Sequence, residues 1–188
     1  MADPVIAQRR PVLAGAHPSL YGGSAVAHVT PAKAATRLSL RAKPDAVAAL
    51  SAALGVDLPT RPKRSASSKG RHALWLGPDE WLVIDEAETD LMAALAGVGV
   101  LHSATDISHR NTAVLVSGPG AAAAINSACP LDLTDGVFPV GAAARTVLGK
   151  IEMVLYRTAA EDYRVECWRS FAPYAFGILV EGAEDAAL

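Results

Sequence analysis

Apolar positions along the chain change period in a repeating order, and the elements follow from that order. Thr36 to Lys43 is strand-like. Pro44 then sits in the first turn of a predicted helix whose Val47, Leu50, Ser51 and Leu54 share a face, with Gly55 as its stop. His72 to Leu76 and Trp81 to Asp85 are two apolar runs around Gly77-Pro78-Asp79-Glu80, a turn with proline at a favoured position, which predicts a hairpin. Leu91, Ala94, Leu95 and Val98 recur at helical spacing, and Leu101 to Ile107 returns to strand character. The order is β-α-β-β-α-β, that of a ferredoxin-like unit in which two helices cover one sheet face.

A second series then begins. Asn111 to Val116 is strand-like, and Pro119 opens a helix with Ala121, Ala124, Ile125 and Ala128 on one face. Pro44 and Pro119 stand 75 positions apart, and the same offset pairs Leu40 with Leu115, Leu50 with Ile125, Val56 with Leu131, Asp57 with Asp132 and Leu58 with Leu133. An internal repeat is the economical explanation. Ile151 to Arg157 and Tyr163 to Trp168 form the second hairpin, around Ala159, Ala160 and Glu161. Ser170 is expected to cap a last helix with Phe171, Tyr174, Ala175, Ile178 and Leu179 inward. The fold class expected is therefore α+β, a single duplicated domain over 31–188, with repeat one at about 36–107 and repeat two at about 110–183. The second repeat lacks its final strand, for which Ser24 to Thr30 is the candidate filler. Residues 1–30, rich in proline and glycine without a sustained period, read as an extended N-terminal arm. Residues 60–71 hold five basic side chains (Arg61, Lys63, Arg64, Lys69, Arg71) and no acid, and are expected to form a mobile loop.

Composition narrows the partners. Hydrophobic residues make up 51% of the 188 and charged residues 19%, against norms of about 45–50% and about 25% for soluble domains. A surface short of charge hints at a partner-facing area, though much of the apolar fraction is alanine. A net charge of −2 supplies no global attraction to nucleic acid or to an anionic membrane. No window approaches the ~18 consecutive apolar residues of a membrane span. Arg9 and Arg10 are not followed by the apolar run of an export signal, and Cys129 and Cys167 are the only two cysteines, so a reduced, cytoplasmic setting fits best. Their spacing neither demands nor excludes a disulfide.

No residue set is expected to carry catalysis, a cofactor or a metal. Asp106, Ser108 and His109 are the residue types of a hydrolase triad, but side chains so close in sequence on an extended segment alternate sides rather than converge. His102, His109, Cys129 and Cys167 lack the spacings of a metal site. Gly118-Pro119-Gly120 before a helix is a strand-to-helix turn rather than a nucleotide fingerprint. The basic stretch has no interleaved aromatics on which bases could stack. Cys167 alternates with Val165 and Tyr163 on one strand face and reads as a small buried residue. Trp75, Trp81 and Trp168 are the heavy apolar residues of the hairpins, and Trp168 shares its face with Arg164 and Glu166, the more polar side of its strand. Candidate partner contacts are Trp168, Arg169, Arg110, Trp81 and Tyr21.

Four motifs in order, Trp75-Leu76-Gly77-Pro78-Asp79-Glu80-Trp81-Leu82, Asp106-Ile107-Ser108-His109-Arg110, Cys129-Pro130-Leu131-Asp132-Leu133 and Trp168-Arg169-Ser170-Phe171-Ala172, resemble the gamma-subunit family of heterotetrameric sarcosine oxidase. The resemblance covers Thr36 to Gly182. That family is in turn similar to the folate-binding domain of glycine-cleavage aminomethyltransferase, whose duplicated α+β architecture agrees with the repeat. The resemblance implies an accessory and assembly role in a complex that oxidises sarcosine to glycine with hydrogen peroxide and passes the one-carbon unit to tetrahydrofolate. It implies alpha, beta and delta subunits as partners, chiefly the large folate-handling alpha subunit. FAD, FMN, NAD, zinc and tetrahydrofolate are then expected on those partners and none in this chain. The further domains of a complete aminomethyltransferase are not expected here, and Gly141 to Gly149 stands where the iron–sulfur-assembly relatives carry a Lys-Gly-Cys-Tyr-type motif. The alternatives are a stand-alone folate or one-carbon binding module and an aminomethyltransferase-like enzyme.

Overall fold

The computed structural model describes Leu13 and residues 22–188. In chain order the strands are β1 (Gly22–Gly23), β2 (His28–Pro31), β3 (Thr36–Ala42), β4 (Ser65–Ser68), β5 (Arg71–Gly77), β6 (Glu80–Asp85), β7 (His102–Asp106), β8 (Asn111–Ser117), β9 (Ala143–Leu148), β10 (Ile151–Arg157) and β11 (Asp162–Trp168). The helices are α1 (Val47–Leu54), α2 (Leu91–Leu95), α3 (Ala121–Asn126) and α4 (Ala172–Asp185). Two antiparallel sheets result, ordered β4-β5-β6-β3-β7 and β1-β2-β8-β11-β10-β9.

The two orders are one pattern written twice. In each sheet the first strand of the repeat, β3 or β8, is central and is flanked by the second hairpin strand, β6 or β11. The outer neighbour of β3 is β7, from the same repeat, whereas the outer neighbour of β8 is β2. The missing fourth strand of the second repeat is therefore supplied from upstream: Val29 pairs with Val116 and is fully buried. This corrects the boundary of the arm, because its last residues lie in a sheet and Leu13 belongs to the second core. The physical reason is the open edge of β8, a row of backbone groups that β2 satisfies. The basic stretch is corrected likewise. Ser65–Ser68 forms the edge strand β4, and Arg71 opens β5, donates to the Leu54 carbonyl at the end of α1 and pairs with Asp85 at 2.8 Å.

Each sheet buries its outer face under its own helices. Leu50 and Leu54 of α1 pack on Leu38, Leu40, Trp81 and Val83, and all but Trp81 are 0% exposed. Full burial of one such leucine is worth about 1.5–3 kcal/mol. Gly55 at φ 64° supplies the left-handed stop that the sequence predicted for this helix. In the second repeat α4 buries Ala172, Ala175, Leu179, Gly182 and Ala183. Gly182 lets α4 approach α3, since a Cβ there would stand 2.4 Å from the Ala124 carbonyl oxygen. Two expectations for this helix fail. Its N-terminal position is taken by Phe171 and Ser170 makes no capping bond, because a short 3-10 turn, Arg169–Phe171, intervenes; Tyr174 points outward, 39% exposed.

The inner faces meet each other, which makes four layers: helices, sheet, sheet, helices. Leu74, Leu82 and Ile84 of one sheet pack on Ala143, Val154 and Tyr156 of the other. Charged side chains cross the same seam. Arg37 Nε donates to Glu166 at 2.6 Å, Glu166 also accepts from Arg164 Nε at 2.7 Å, and Arg164 reaches Glu86 at 3.2 Å. Glu166 is 1% exposed. Further along the seam Glu80 bridges Arg145 at 2.5 Å and Arg41 at 2.8 Å. The hydrogen bond from Arg145 is the main reason the Glu80 carboxyl is held below its usual pKa. The polar face of β11 is thus an interior surface, a point that strand alternation alone leaves open.

Candidate docking site

β8 and β11 run in register from Ser117 opposite Asp162 to Asn111 opposite Trp168. The ladder continues one bond further, with the Arg169 N–H donating to the Arg110 carbonyl at 2.7 Å. Arg110, Trp168 and Arg169 are therefore carried on the rigid end of a paired sheet rather than on a free loop. Trp168 lies one step beyond Glu166 on the same pleat face, past the seam, and is 42% exposed. The 3-10 turn that follows places Phe171 three residues on, the spacing that eclipses side chains in such a turn. The two rings stack with centroids 5.7 Å apart at an interplanar angle of 11°. The Arg110 guanidinium sits over the indole, its Cζ 5.1 Å from the ring centroid, a cation–π contact. Arg110, Trp168, Arg169 and Ser170 line an open notch of about 470 Å³.

Three of the five expected contact residues thus come together. Trp81 does not join them: it is 1% exposed in the first core, and its indole N–H donates to the Pro59 carbonyl at 2.7 Å. The correction has a simple cause, since Trp81 alternates with Val83 on the face that α1 and α2 cover. Tyr21 lies outside the described residues. Phe171 packs against the second core, as expected of the last helix, and its ring also backs Trp168, a second role that the Trp168-to-Phe171 spacing alone could have signalled.

The remaining candidates have structural roles. Asp106 Oδ1 accepts from the Ser108 N–H at 2.8 Å and from its hydroxyl at 2.5 Å, while Ser108 Oγ accepts from the Arg37 N–H at 2.8 Å. This turn ties the end of β7 to β3, and His109 is exposed beside it. The Gly118 and Gly120 N–H groups donate to the Glu161 and Val26 carbonyls, so neither is turned to a ligand. Cys129 and Cys167 are both free and buried, and burial pushes the Cys167 thiol up to about 12. Among the described residues no group of three or more His, Cys, Asp and Glu side chains is placed to hold a metal, and no helix is long and apolar enough to cross a membrane.

The family model described as "Sarcosine oxidase, gamma subunit family" matches residues 39–185. The chain belongs to the sarcosine oxidase gamma subunit family. It is 34% identical over 155 residues to the sarcosine oxidase subunit gamma of Corynebacterium sp. (strain U-96), covering 80% of this chain and 76% of the relative. The Arthrobacter sp. subunit gamma is 36% identical over 138 residues, 70% of this chain and 67% of that one. A chain of the heterotetrameric sarcosine oxidase from Corynebacterium sp. U-96, solved in complex with pyrrole 2-carboxylate, superposes with a TM-score of 0.82 at 30% identity over 96% of this chain and 97% of that chain. The glycine cleavage system aminomethyltransferase T from Bartonella henselae shares the fold, with a TM-score of 0.62 at 15% identity over 84% of this chain and 46% of that chain. The four-motif resemblance and the duplicated α+β architecture are both borne out for this gamma-family chain.

Proposed function

We propose that this chain is the accessory subunit of a heterotetrameric sarcosine oxidase and supports the folate-handling part of a larger subunit without supplying reacting groups. The observation that carries this reading is the end-to-end likeness to one chain of that assembly, 96% of this chain on 97% of the other. The work of the complex is oxidation of sarcosine to glycine with hydrogen peroxide and transfer of the one-carbon unit to tetrahydrofolate. In this reading the partners are alpha, beta and delta subunits in the cytoplasm, and FAD, FMN, NAD, zinc and tetrahydrofolate reside on them. Docking runs through the shelf of Arg110, Trp168 and Arg169. Its aromatic and arginine make-up is that of interface residues whose truncation is costly, and its backbone is already ordered before binding.

Affinity purification of the chain from its native source, followed by intact-mass analysis of the chains that come with it, tests the reading. Recovery of a stoichiometric four-chain complex is expected. Sarcosine turnover by the isolated chain, or its titration by tetrahydrofolate with micromolar affinity, would overturn it. Trp168→Ala should weaken assembly and leave the isolated chain folded.

A further inference from the structure

We propose that the shelf is an anion-reading seat, and that what it takes is an acidic segment of a partner subunit with carboxylates spaced to meet Arg110 and Arg169 together; the inference rests on the subunit reading above. Arg37, Arg41, Arg71, Arg145, Arg157 and Arg164 each pair with a carboxylate of this chain. Arg110 and Arg169 stand just beyond the ends of β8 and β11, and among the described residues no carboxylate lies within ion-pair distance of either; Arg61 and Arg64 are likewise without one, but of these four only Arg110 is stacked over an aromatic ring. Arg110 is exposed, and its one side-chain hydrogen bond among the described residues, Nε to Asn111 Oδ1 at 3.4 Å, does not engage its terminal nitrogens.

Those nitrogens are not free to wander. The Arg110 Cζ lies 5.1 Å from the centroid of the Trp168 indole, Phe171 stacks on the same indole, and the backbone bond from Arg169 to Arg110 fixes the spacing of the two backbones from which the arginines spring. A guanidinium so arranged loses less rotamer freedom on binding than an exposed one, and its planar fork suits a carboxylate better than any neutral group. A purely apolar anchor would desolvate both cations without compensation, which argues against it. The chain as a whole carries a net charge of −2, so this local cationic pair sets the orientation of approach rather than a general attraction.

The test uses the full chain and the purified remaining subunits, with the dissociation constant measured by interferometry from 0.05 to 0.5 M sodium chloride. Wild type is expected to weaken about tenfold or more across that range, as screening predicts for a salt-exposed ion pair. The double variant Arg110→Gln and Arg169→Gln should bind at least about tenfold more weakly at low salt and show a flattened salt response. Arg169→Lys, which keeps the charge, should retain most of the salt response, and unchanged thermal melts should show that each variant is folded. A double variant with wild-type affinity and salt response overturns the inference while the subunit reading stands. Failure of wild type to bind those subunits at all sinks both. Wild-type self-association that the double variant abolishes, with partner affinity unchanged, would assign the shelf to a second copy and overturn the proposal too.

Discussion

Along β11, Arg164, Glu166 and Trp168 point the same way, yet the first two are interior and the third is surface. Glu166 is 1% exposed and holds Arg37 across the seam between the sheets and Arg164 on its own strand, whereas Trp168, one pleat on, is 42% exposed beside Arg110 and Arg169, which have no ion pair among the described residues. The same residue types serve opposite ends. Inside the seam the charges pair with one another across the two repeats; at the sheet end Arg110 lies over an exposed indole instead. A buried ionic group is weak evidence for net stability, but removing one member is costly because its partners stay behind unpaired.

The largest effect should therefore come from the seam. Glu166→Ala leaves two guanidinium groups buried and is expected to lower stability by about 3–5 kcal/mol, measured by urea unfolding, with m-values watched for a change in the native state. Trp81→Ala should cost about 3–5 kcal/mol as well, through a cavity in the first core and the loss of its bond to Pro59. Trp168→Ala sharpens the contrast: its stacking and cation–π contacts are partly solvated, so a change of about 1 kcal/mol or less is expected, while assembly suffers.

Acid titration separates the seam further. Glu80 has its pKa lowered in the folded chain, chiefly by the Arg145 hydrogen bond, so its contribution is fully present above the unfolded glutamate value of about 4.3. That contribution is lost as pH falls from there through the lowered folded value. Arg145→Ala should flatten this part of the stability profile, measured as thermal midpoint against pH between about 5 and 2. An unchanged acid limb would mean that the bridge does not form. The smallest effect should be at Cys167: with the thiol pushed up to about 12 by burial, labelling by a thiol reagent at neutral pH should proceed only through unfolding and track denaturant.

Much of the architecture was legible from local pattern. The hairpin at Pro78-Asp79, the Gly55 stop and the 75-residue offset between Pro44 and Pro119 each rest on short-range chemistry, and each has its counterpart among the observed elements. Strand β4 was not legible, because Ser65–Ser68 has no apolar alternation and exists through pairing with Arg71–Leu74. Strand β9 was missed for a related reason: Ala143–Leu148 was read only as the segment standing in a motif's place, and its pairing partner β10 defines it. The site was half legible. The composition of Arg110, Trp168 and Arg169 suggested an anchor, but Trp81 carried the same signature and is core.

Periodicity, turn residues and repetition act over a few positions, and from them the chain's own order dictated two ferredoxin-like halves, their helical faces and their hairpins. Which faces end up inside is a matter of contacts between residues far apart in sequence, such as Arg37 with Glu166 or Glu80 with Arg145. Alternation says that two residues share a side of a strand. Whether that side meets another sheet or water depends on the docking of the halves, and so did the engagement of Arg37, Arg145 and Arg164 in ion pairs that cross from one half to the other.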